Sequence, residues 1–401
     1  MANFGPGGRR SFSLNGKLWT ARGHNYIRLN LTCPCHSTFT VGQYNAAEAD
    51  AALTKMGAGQ FGYNWVRVFI DEGTPSRATG INGNGQTPLN AAYIANIVDF
   101  LQRAQYHGIF VQIQVNTNFP QSAYWINMAG NAPAWSGGAN TLYLAPAYVS
   151  TFATYVGLLA QTLSDAMKGD TSPILSISVM NEAAFDTSSL PFASNTLQIT
   201  TADGQTYDMG NAASRQQCVD ANFVHFSGAA ASSIRAAVPS LLVTMGMFTF
   251  AAVGKSGGPN GVAPGGDTRY PPNPPSLALY SSLDYLDLHV YPTGSWNAPN
   301  AGSLYRDLDS SSVAACDFTR MCILVGEFGS FKDWVASADD AAFLMASIQQ
   351  QSCTSNKYFF VGGFGLWTWD TYEQPNIWNA LDDNGAIAYY LSPLRQPVIC
   401  P

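Results

Sequence analysis

Two glutamates stand at the ends of two apolar segments, and their side chains are the ones in this sequence best suited to chemistry. Glu182 closes residues 174–181, and Glu327 closes residues 322–326. Only 11% of the residues are charged, so an acid at the end of each of two hydrophobic segments requires an explanation. Two carboxyl groups can together break an acetal, because one protonates the leaving oxygen while the other meets the oxocarbenium-like carbon. We therefore interpret the two glutamates as a paired-carboxylate site.

Both glutamates belong to a series of short apolar segments, each followed by a polar stretch and then by helical periodicity. We predict eight strands, at residues 18–29, 64–70, 109–116, 174–182, 241–249, 283–291, 322–329 and 361–369. Amphipathic stripes predict helices between them, most clearly over residues 92–105 and 148–168. Strands that alternate with such helices form parallel βαβ units, and eight units predict an α/β fold, the (β/α)8 TIM barrel. The alternative is a doubly wound open sheet, although no glycine-rich phosphate loop follows the first strand.

The barrel is predicted to occupy residues 1–401 as a single domain with three added segments. The Asn15-Gly16 pair predicts an N-terminal hairpin within residues 9–20, placed under the barrel. Long loops at residues 183–218 and 250–276 follow the fourth and fifth strands, so we expect them to wall the carboxyl-terminal face. The second loop could instead link two domains. However, the strands before and after it belong to the same series of eight predicted strands.

Polar and aromatic residues recur at the predicted carboxyl ends of the strands, where barrels of this kind carry their functional groups. In chain order they are Asn25, Arg67, Asn116, Asn181, Glu182, His289, Tyr291, Glu327 and Trp367. Arg67 could hold one carboxylate ionised while a less solvated acid keeps its proton, which gives the split pKa values that acetal cleavage requires. Asn181 could hydrogen-bond a sugar hydroxyl, and Trp367 offers a flat apolar face for a sugar ring.

Other residues of the same types are expected to be structural. Asn25 and Asn116 are as well explained by structure as by function. Four further tryptophans could be platforms for sugar rings, namely Trp125, Trp135, Trp296 and Trp369. Tryptophans in loops, however, more often pack against the protein core. The remaining histidines are expected to be ordinary; these are His24, His36, His107 and His225.

Composition restricts the partners and the compartment. The net charge of −7 gives no basic surface, which argues against nucleic acid and anionic membranes, and no apolar segment is long enough to span a bilayer. Seven cysteines, an odd number, permit disulfides and favour secretion, with any leader removed from this sequence. Cys33-Pro34-Cys35-His36 lacks the second Cys/His pair that a tetrahedral metal site needs, so we expect half-cystines or buried thiols there and no metal.

The strand-end residues resemble the signature of the clan A (4/7) retaining glycoside hydrolases, and most closely glycoside hydrolase family 5, the cellulase family. The motifs that carry the resemblance are Asn181-Glu182, His289-Val290-Tyr291, Gly326-Glu327-Phe328-Gly329, Arg67, Trp367 and the opening from Phe12 to Asn25. The match runs from about residue 12 to residue 370. It implies that Glu182 is the acid/base and Glu327 the nucleophile, with Arg67 and Tyr291 near Glu327 and His289 near Glu182. The family usually has histidine at the end of strand three, where this chain has Asn116.

The resemblance implies a retaining β-glycosidase that acts on an oligo- or polysaccharide of the β-glucan, cellulose or mannan type. It implies two carboxyl groups about 5–5.5 Å apart and no metal or organic cofactor. We expect the protein to be a monomer. The long loops could instead close the groove and make an exo-acting enzyme for short oligosaccharides. Two competing hypotheses are a carbohydrate-binding barrel without catalysis and a metal-dependent deacetylase. The scarcity of clustered His and Asp ligands disfavours the deacetylase.

Overall fold

A ring of parallel strands forms the centre of the molecule. The computed structural model describes residues 4–6, 12–30, 35–71, 79–115, 119–253, 267–291, 304–316, 321–354, 361–371 and 374–395. Within these residues the barrel strands are Ala21–Asn25, Trp65–Phe69, Phe110–Gln114, Ile174–Ser178, Leu242–Thr244 with Gly246–Phe248, Tyr285–His289, Cys322–Phe328 and Val361–Leu366. Each pairs in parallel with the next, and the eighth pairs with the first. The predicted (β/α)8 barrel is therefore confirmed.

The fifth strand closes the ring in two pieces. Leu242–Thr244 pairs with the fourth strand, and Gly246–Phe248 pairs with the sixth. Strand pairing is interrupted at Met245. The prediction of one continuous strand over residues 241–249 is therefore wrong. No sequence signal marks the break, because Met245 and Met247 are both buried and continue the apolar pattern.

The fourth strand is shorter than predicted. It ends at Ser178. Val179 and Met180 follow it in the core, where Val179 N donates to the Thr244 carbonyl oxygen and Gly246 N donates to the Met180 carbonyl oxygen. An apolar pattern shows that residues are buried but not where a strand ends. The prediction that the strand reaches Glu182 is therefore wrong. Glu182 instead lies in the turn that follows the strand.

Helices pack around the ring between the strands. The helices that the structure describes are Ala46–Met56, Ala91–Tyr106, Ala123–Ala129, Asn140–Leu144, Pro146–Ala166, Ala212–Ala237, Pro274–Tyr280, Leu304–Ser310, Ala338–Thr354 and Asp382–Tyr390. Several begin after an asparagine whose side-chain oxygen accepts from the first free backbone N–H groups, as Asn45, Asn90 and Asn211 do. The two helices predicted from amphipathic stripes are confirmed. None of the described helices has the length and apolarity needed to cross a membrane.

The N-terminal hairpin seals the amino-terminal end of the barrel. Strands Phe12–Leu14 and Lys17–Trp19 pair across a turn at Asn15 and Gly16, whose φ angles of 52° and 77° are the left-handed values that a tight hairpin turn needs. A further strand, Phe4–Pro6, pairs with the first of them. Phe12 packs edge-on against Tyr285, with 4.9 Å between the ring centroids, and belongs to a cluster with Trp65. The predicted hairpin is thus confirmed over residues 12–19.

The two long loops join at the carboxyl-terminal face. The first loop contains three short strands, Phe185–Asp186, Gln198–Thr200 and Thr206–Asp208. It ends earlier than the predicted residue 218, because the next helix begins at Ala212. Phe185–Asp186 pairs antiparallel with Arg269–Tyr270 from the second loop. Residues 254–266 of that second loop lie outside the described residues. Where the loops are described, they lie beside the strand ends as predicted.

Three of the seven cysteines are described with their side chains. Cys218, Cys316 and Cys322 are buried free thiols, and burial raises the pKa of each thiol. These three therefore act as small core side chains. The side chains of the other four lie outside the described part, so disulfide formation among them stays a prediction.

Candidate active site

The carboxyl ends of the barrel strands bring the predicted residues together. Those found there are Asn25, Arg67, Asn181, Glu182, His289, Tyr291, Glu327 and Trp367. Asn116 lies outside the described residues, so its role stays a prediction. A cavity of about 370 Å³ opens at this face, and Asn181, Glu182, Tyr291, Glu327 and Trp367 are among the side chains that line it. A volume of this size is typical of small-molecule sites.

Glu327 is held from both sides of its carboxylate. It lies within the seventh strand and is only 3% exposed. Arg67 donates from Nη1 to Oε1, and the Tyr291 hydroxyl donates to Oε2 at 2.8 Å. His289 Nδ1 lies 3.4 Å from the same Oε2. The carboxylate therefore has a fixed orientation before any ligand arrives.

Gly326 makes room for this arrangement. A Cβ at position 326 would lie 1.9 Å from Oδ1 of Asp287, on the neighbouring strand. Asp287 cannot easily move, because it is fully buried and accepts a 2.6 Å hydrogen bond from Gln112 Nε2. The Gly-Glu pair recognised in the sequence thus has a steric origin as well as a chemical one.

Arg67 connects four side chains beneath the cavity. Its guanidinium is fully buried and donates to Asn25 Oδ1 at 2.9 Å, Gln114 Oε1 at 2.7 Å and Asn181 Oδ1 at 2.7 Å, in addition to Glu327. Asn25 in turn donates to the Gly326 carbonyl oxygen at 2.9 Å. Asn25 is therefore a positioning residue, while Asn181 also lines the cavity.

The polar residues below Arg67 were not singled out from the sequence. Gln112, Gln114 and Asp287 are fully buried inside the barrel, and Asp287 Oδ2 lies 3.8 Å from Arg67 Nε. A signal did exist: Gln112 and Gln114 alternate with apolar residues along one strand, as inward-facing positions of a barrel do.

Glu182 is held less tightly than Glu327. Its side chain is 27% exposed, and its Oε1 lies 3.1 Å from His289 Nδ1. Its backbone is left-handed, with φ of 50°, a conformation that is uncommon outside glycine and that clusters at functional sites. One carboxylate oxygen of Glu182 lies within 4.8 Å of one of Glu327.

Burial and neighbouring charges shift the pKa values of Glu327, His289 and Tyr291. Burial raises the pKa of Glu327, while the positive charges of His289 and Arg67 limit the rise. Burial alone would lower the pKa of His289, but the charge of Glu327 and the hydrogen bond to Glu182 outweigh it, so this pKa is raised. Burial and the charge of Glu327 hold the pKa of Tyr291 far above its usual value, so its hydroxyl remains a hydrogen-bond donor.

One wall of the cavity is aromatic. Trp367 lies edge-on to Phe69 at 5.6 Å, and the ring of His36 stacks on Phe69 at 4.3 Å. His36 lines the cavity, so the expectation that it is an ordinary histidine is wrong. The chain after the first strand folds back over the barrel mouth, which the local sequence does not indicate.

The other tryptophans differ from Trp367. Trp125 and Trp369 are fully buried in the core, so they offer no face to a sugar, and the suggestion of platforms there is wrong. Trp135 is partly buried against the core. Trp296 lies outside the described residues.

The opposite wall combines an aromatic ring with an ion pair. Phe248 ends the fifth strand, and the Arg269 guanidinium lies 4.3 Å from its ring centroid. Arg269 is bound through Nε and Nη2 to Asp267, at 3.0 and 2.7 Å. Both Phe248 and Arg269 line the cavity. The sequence does not indicate this pair, because it depends on the contact between the two long loops.

Chemically, the site is suited to proton transfer and nucleophilic attack. Among the described residues, Glu182, His289 and Glu327 are the one group whose potential metal-binding atoms lie together. However, Glu327 already binds Arg67 and Tyr291, and the buried charge of Arg67 opposes a second cation. Two carboxyl groups that face one cavity are what acetal cleavage requires. The expectation that the less solvated acid is a different group from the partner of Arg67 is wrong, because Glu327, which Arg67 binds, is the more buried of the two.

Comparisons with known proteins agree with this fold. No family model and no curated protein matches the sequence. Among solved structures, an endo-1,4-β-mannanase from Rhizomucor miehei is similar over 99% of this chain and 100% of its own, with a TM-score of 0.64 at 13% identity. A glycoside hydrolase family 5 mannosidase from Rhizomucor miehei is similar over 99% of this chain and 98% of its own, with a TM-score of 0.61 at 14% identity.

A third structure, an exo-β-1,4-mannosidase from Opitutaceae bacterium strain TAV5, has a TM-score of 0.60 at 16% identity. The similarity covers 99% of this chain but spans only 62% of that protein. At such identities the likeness establishes the fold, and the resemblance drawn from the sequence motifs is confirmed to that extent. The chain therefore has the fold of the glycoside hydrolase family 5 structures.

Proposed function

We propose that this chain is a retaining β-glycoside hydrolase. The observation that carries the proposal is the spacing of the two acids: oxygens of Glu182 and Glu327 lie within 4.8 Å of each other across one cavity. Retaining enzymes place their carboxyl groups about 5–5.5 Å apart, whereas inverting enzymes need about 6.5–9.5 Å to admit a water molecule. The spacing supports direct attack by one carboxylate on the sugar.

In the first step, Glu327 attacks the anomeric carbon and forms an ester bond to it. The bond from that carbon to the leaving oxygen breaks, and this oxygen takes the proton of Glu182. In the second step, water attacks the anomeric carbon and gives its proton to Glu182. The bond between that carbon and Glu327 breaks as the bond to water forms, which restores the Glu327 carboxylate.

The surrounding side chains fit these roles. Arg67 and Tyr291 bind the ionised form of Glu327 and orient it toward the cavity. His289 lies against both acids, so it positions the acid/base relative to the nucleophile. Glu182 is exposed enough to exchange protons with solvent between the two steps. A carbohydrate-binding barrel without catalysis would have no need of this arrangement.

We propose a β-linked mannan or its oligosaccharides as the substrate, with β-glucan and cellulose as the alternatives. The support is that the similar solved structures named above are a mannanase and two mannosidases. The composition supports secretion of the protein and action outside the cell.

The test is a panel of p-nitrophenyl β-mannoside, p-nitrophenyl β-glucoside, mannan and β-glucan, with product analysis by chromatography and proton NMR. We expect the first product to carry the β configuration, with turnover unaffected by EDTA. A first product of α configuration would mean inversion and contradict the proposed mechanism. Loss of turnover with EDTA would favour the metal-dependent alternative. The product sizes report endo or exo action.

A further inference from the structure

His36 occupies a defined place in the aromatic wall of the cavity. It lies in the short strand Cys35–His36, which pairs with Leu29–Asn30 just after the first barrel strand. Ser37 Oγ donates to the Arg28 carbonyl oxygen at 3.0 Å, and Arg28 N donates to Thr38 Oγ1 at 3.0 Å. These bonds fix the backbone on both strands of the small ladder.

A second set of contacts ties His36 to the wall formed by Trp367. Arg28 Nη2 donates to Asp370 Oδ2 at 3.1 Å, which connects the segment after strand one to the segment after strand eight. The His36 ring stacks on Phe69 with an interplanar angle of 28° and meets Trp367 edge-on at 6.3 Å. The imidazole is therefore held in place without a ligand.

The ring nitrogens of His36 have no hydrogen-bond partner among the described residues, although the side chain lines the cavity. Polar atoms in such a position are normally satisfied by water or by a ligand. Burial, together with the charge of Arg67, lowers the pKa of His36 to about 4, against an opposing effect of Glu182. The imidazole is consequently neutral at ordinary pH, with one N–H donor and one acceptor nitrogen.

Because Glu182 protonates the leaving oxygen, the leaving group lies on the side of the fourth and fifth strands. The sugar that becomes attached to Glu327 then lies toward Trp367 and His36, on the eighth and first strands. We infer that His36 is a specificity-determining residue that hydrogen-bonds a hydroxyl of this sugar while the ring rests against Trp367. This inference rests on the proposed function of the site.

The chemistry of the imidazole defines the ligand class. A neutral donor and acceptor match a hydroxyl group, which both accepts and donates. They give no charge pairing to a carboxylate or an ammonium group. His36 therefore favours a neutral hexose over a uronic acid or an amino sugar at this position.

The test compares His36→Phe and His36→Asn with the wild type on p-nitrophenyl β-mannoside, p-nitrophenyl β-glucoside and the monodeoxy analogues of each. Phe keeps the stacking ring and removes both nitrogens, whereas Asn keeps a donor and an acceptor. In the wild type, loss of the contacted hydroxyl should lower kcat/KM about tenfold. In His36→Phe the same loss should change kcat/KM less than about twofold, because the partner is already gone. His36→Asn should recover part of the sensitivity.

His225→Phe, an identical change on an exposed helix position, is the control and should keep the wild-type pattern. If His36→Phe loses activity but remains as sensitive to every missing hydroxyl as the wild type, the role is only structural and the inference is overturned. Glu327→Gln, assayed in parallel, separates this failure from failure of the proposed function. If the wild type does not cleave these glycosides, titration calorimetry with mannotriose makes the same comparison by affinity. A wild type that neither cleaves nor binds overturns both proposals.

Discussion

The ends of the seventh and fourth strands present the same side chain in two different ways. Glu327 is still inside its strand, paired across to His289, with its carboxylate bound by Arg67 and Tyr291. Glu182 comes four residues after its strand has ended, with a left-handed backbone and a partly exposed side chain. One strand end thus fixes a buried carboxylate, and the other exposes one.

This difference is the physical basis for assigning different roles to two identical residue types. A nucleophile benefits from preorganisation, because it must approach a single carbon along one line. An acid/base must lose a proton and regain one in each cycle, so it needs access to water. Chemical identity alone does not separate Glu182 from Glu327, but their strand ends do.

The largest expected effect comes from removing the fixed carboxylate. Glu327→Gln keeps the shape of the side chain, but it replaces one acceptor oxygen with an amide donor and removes the nucleophilic charge. We expect kcat/KM to fall on the order of 10⁴-fold or more for every glycoside, whatever its leaving group. Steady-state kinetics on the aryl glycosides measure this, and circular dichroism checks the fold. A loss of less than about 100-fold would show that Glu327 is not the nucleophile.

The exposed acid should behave differently because its importance depends on the leaving group. Glu182→Ala should lower kcat/KM about 10³-fold for oligosaccharides, whose leaving oxygen needs a proton. Dinitrophenyl glycosides need less assistance, so their first step should lose much less. Sodium azide should accelerate turnover and yield a β-glycosyl azide. Equal losses of kcat/KM on oligosaccharides and dinitrophenyl glycosides, without rescue by azide, would contradict the assignment of Glu182 as the acid/base.

The hydroxyl of Tyr291 tests how strongly the fixed carboxylate depends on its donors. Tyr291→Phe removes one hydrogen bond to Oε2 of Glu327, which costs about 1.5–3 kcal/mol when the acceptor is charged, or about 10–150-fold in kcat/KM. The ionised form loses a donor, so the already raised pKa of Glu327 should rise further. The acid limb of the kcat/KM profile should then move to higher pH.

A matched control for this change is Tyr44→Phe, which removes a 2.6 Å hydrogen bond to Asp99 outside the cavity. Its pH profile should match that of the wild type. If Tyr291→Phe left the acid limb unmoved or moved it to lower pH, Tyr291 would not act on the ionisation of Glu327.

Two glycines test the steric difference between the strand ends, with the smallest effects expected. At position 326 a Cβ meets Asp287 at 1.9 Å, whereas at position 246 the nearest atoms are 3.2 Å away, with Glu182 N at 3.4 Å. We expect Gly326→Ala to lower the free energy of unfolding by about 3 kcal/mol and Gly246→Ala by about 1 kcal/mol or less. Urea denaturation measures both, and equal losses would contradict the steric account.

The general architecture was accessible from the sequence because local patterns determine it. Alternating apolar segments and helical stripes predicted the barrel, and Asn15-Gly16 predicted the hairpin, since turn chemistry and periodicity are local properties. The acids and Arg67 were accessible for a related reason: strand ends meet at one face of a parallel barrel, so position in the strand implies proximity.

Features that depend on contacts between distant segments were not accessible. The break at Met245 follows from closing the ring between the fourth and sixth strands, not from the apolar residues around it. His36 enters the cavity because the segment after strand one is bonded to the segment after strand eight. Arg269 reaches it because the two long loops pair. In each case the position of the residue depends on a contact with a segment that is distant in the chain, so no short sequence pattern predicts it.

The most direct test of the account is to trap the covalent intermediate. A 2-deoxy-2-fluoro β-mannoside with a dinitrophenyl leaving group should inactivate the enzyme with release of one leaving group per chain. Proteolysis and mass spectrometry should then find the fluorosugar esterified to the peptide that contains Glu327, at that residue. Labelling of Glu182, or turnover without any covalent adduct and with α-configured product, would contradict the assignment of the buried glutamate as nucleophile.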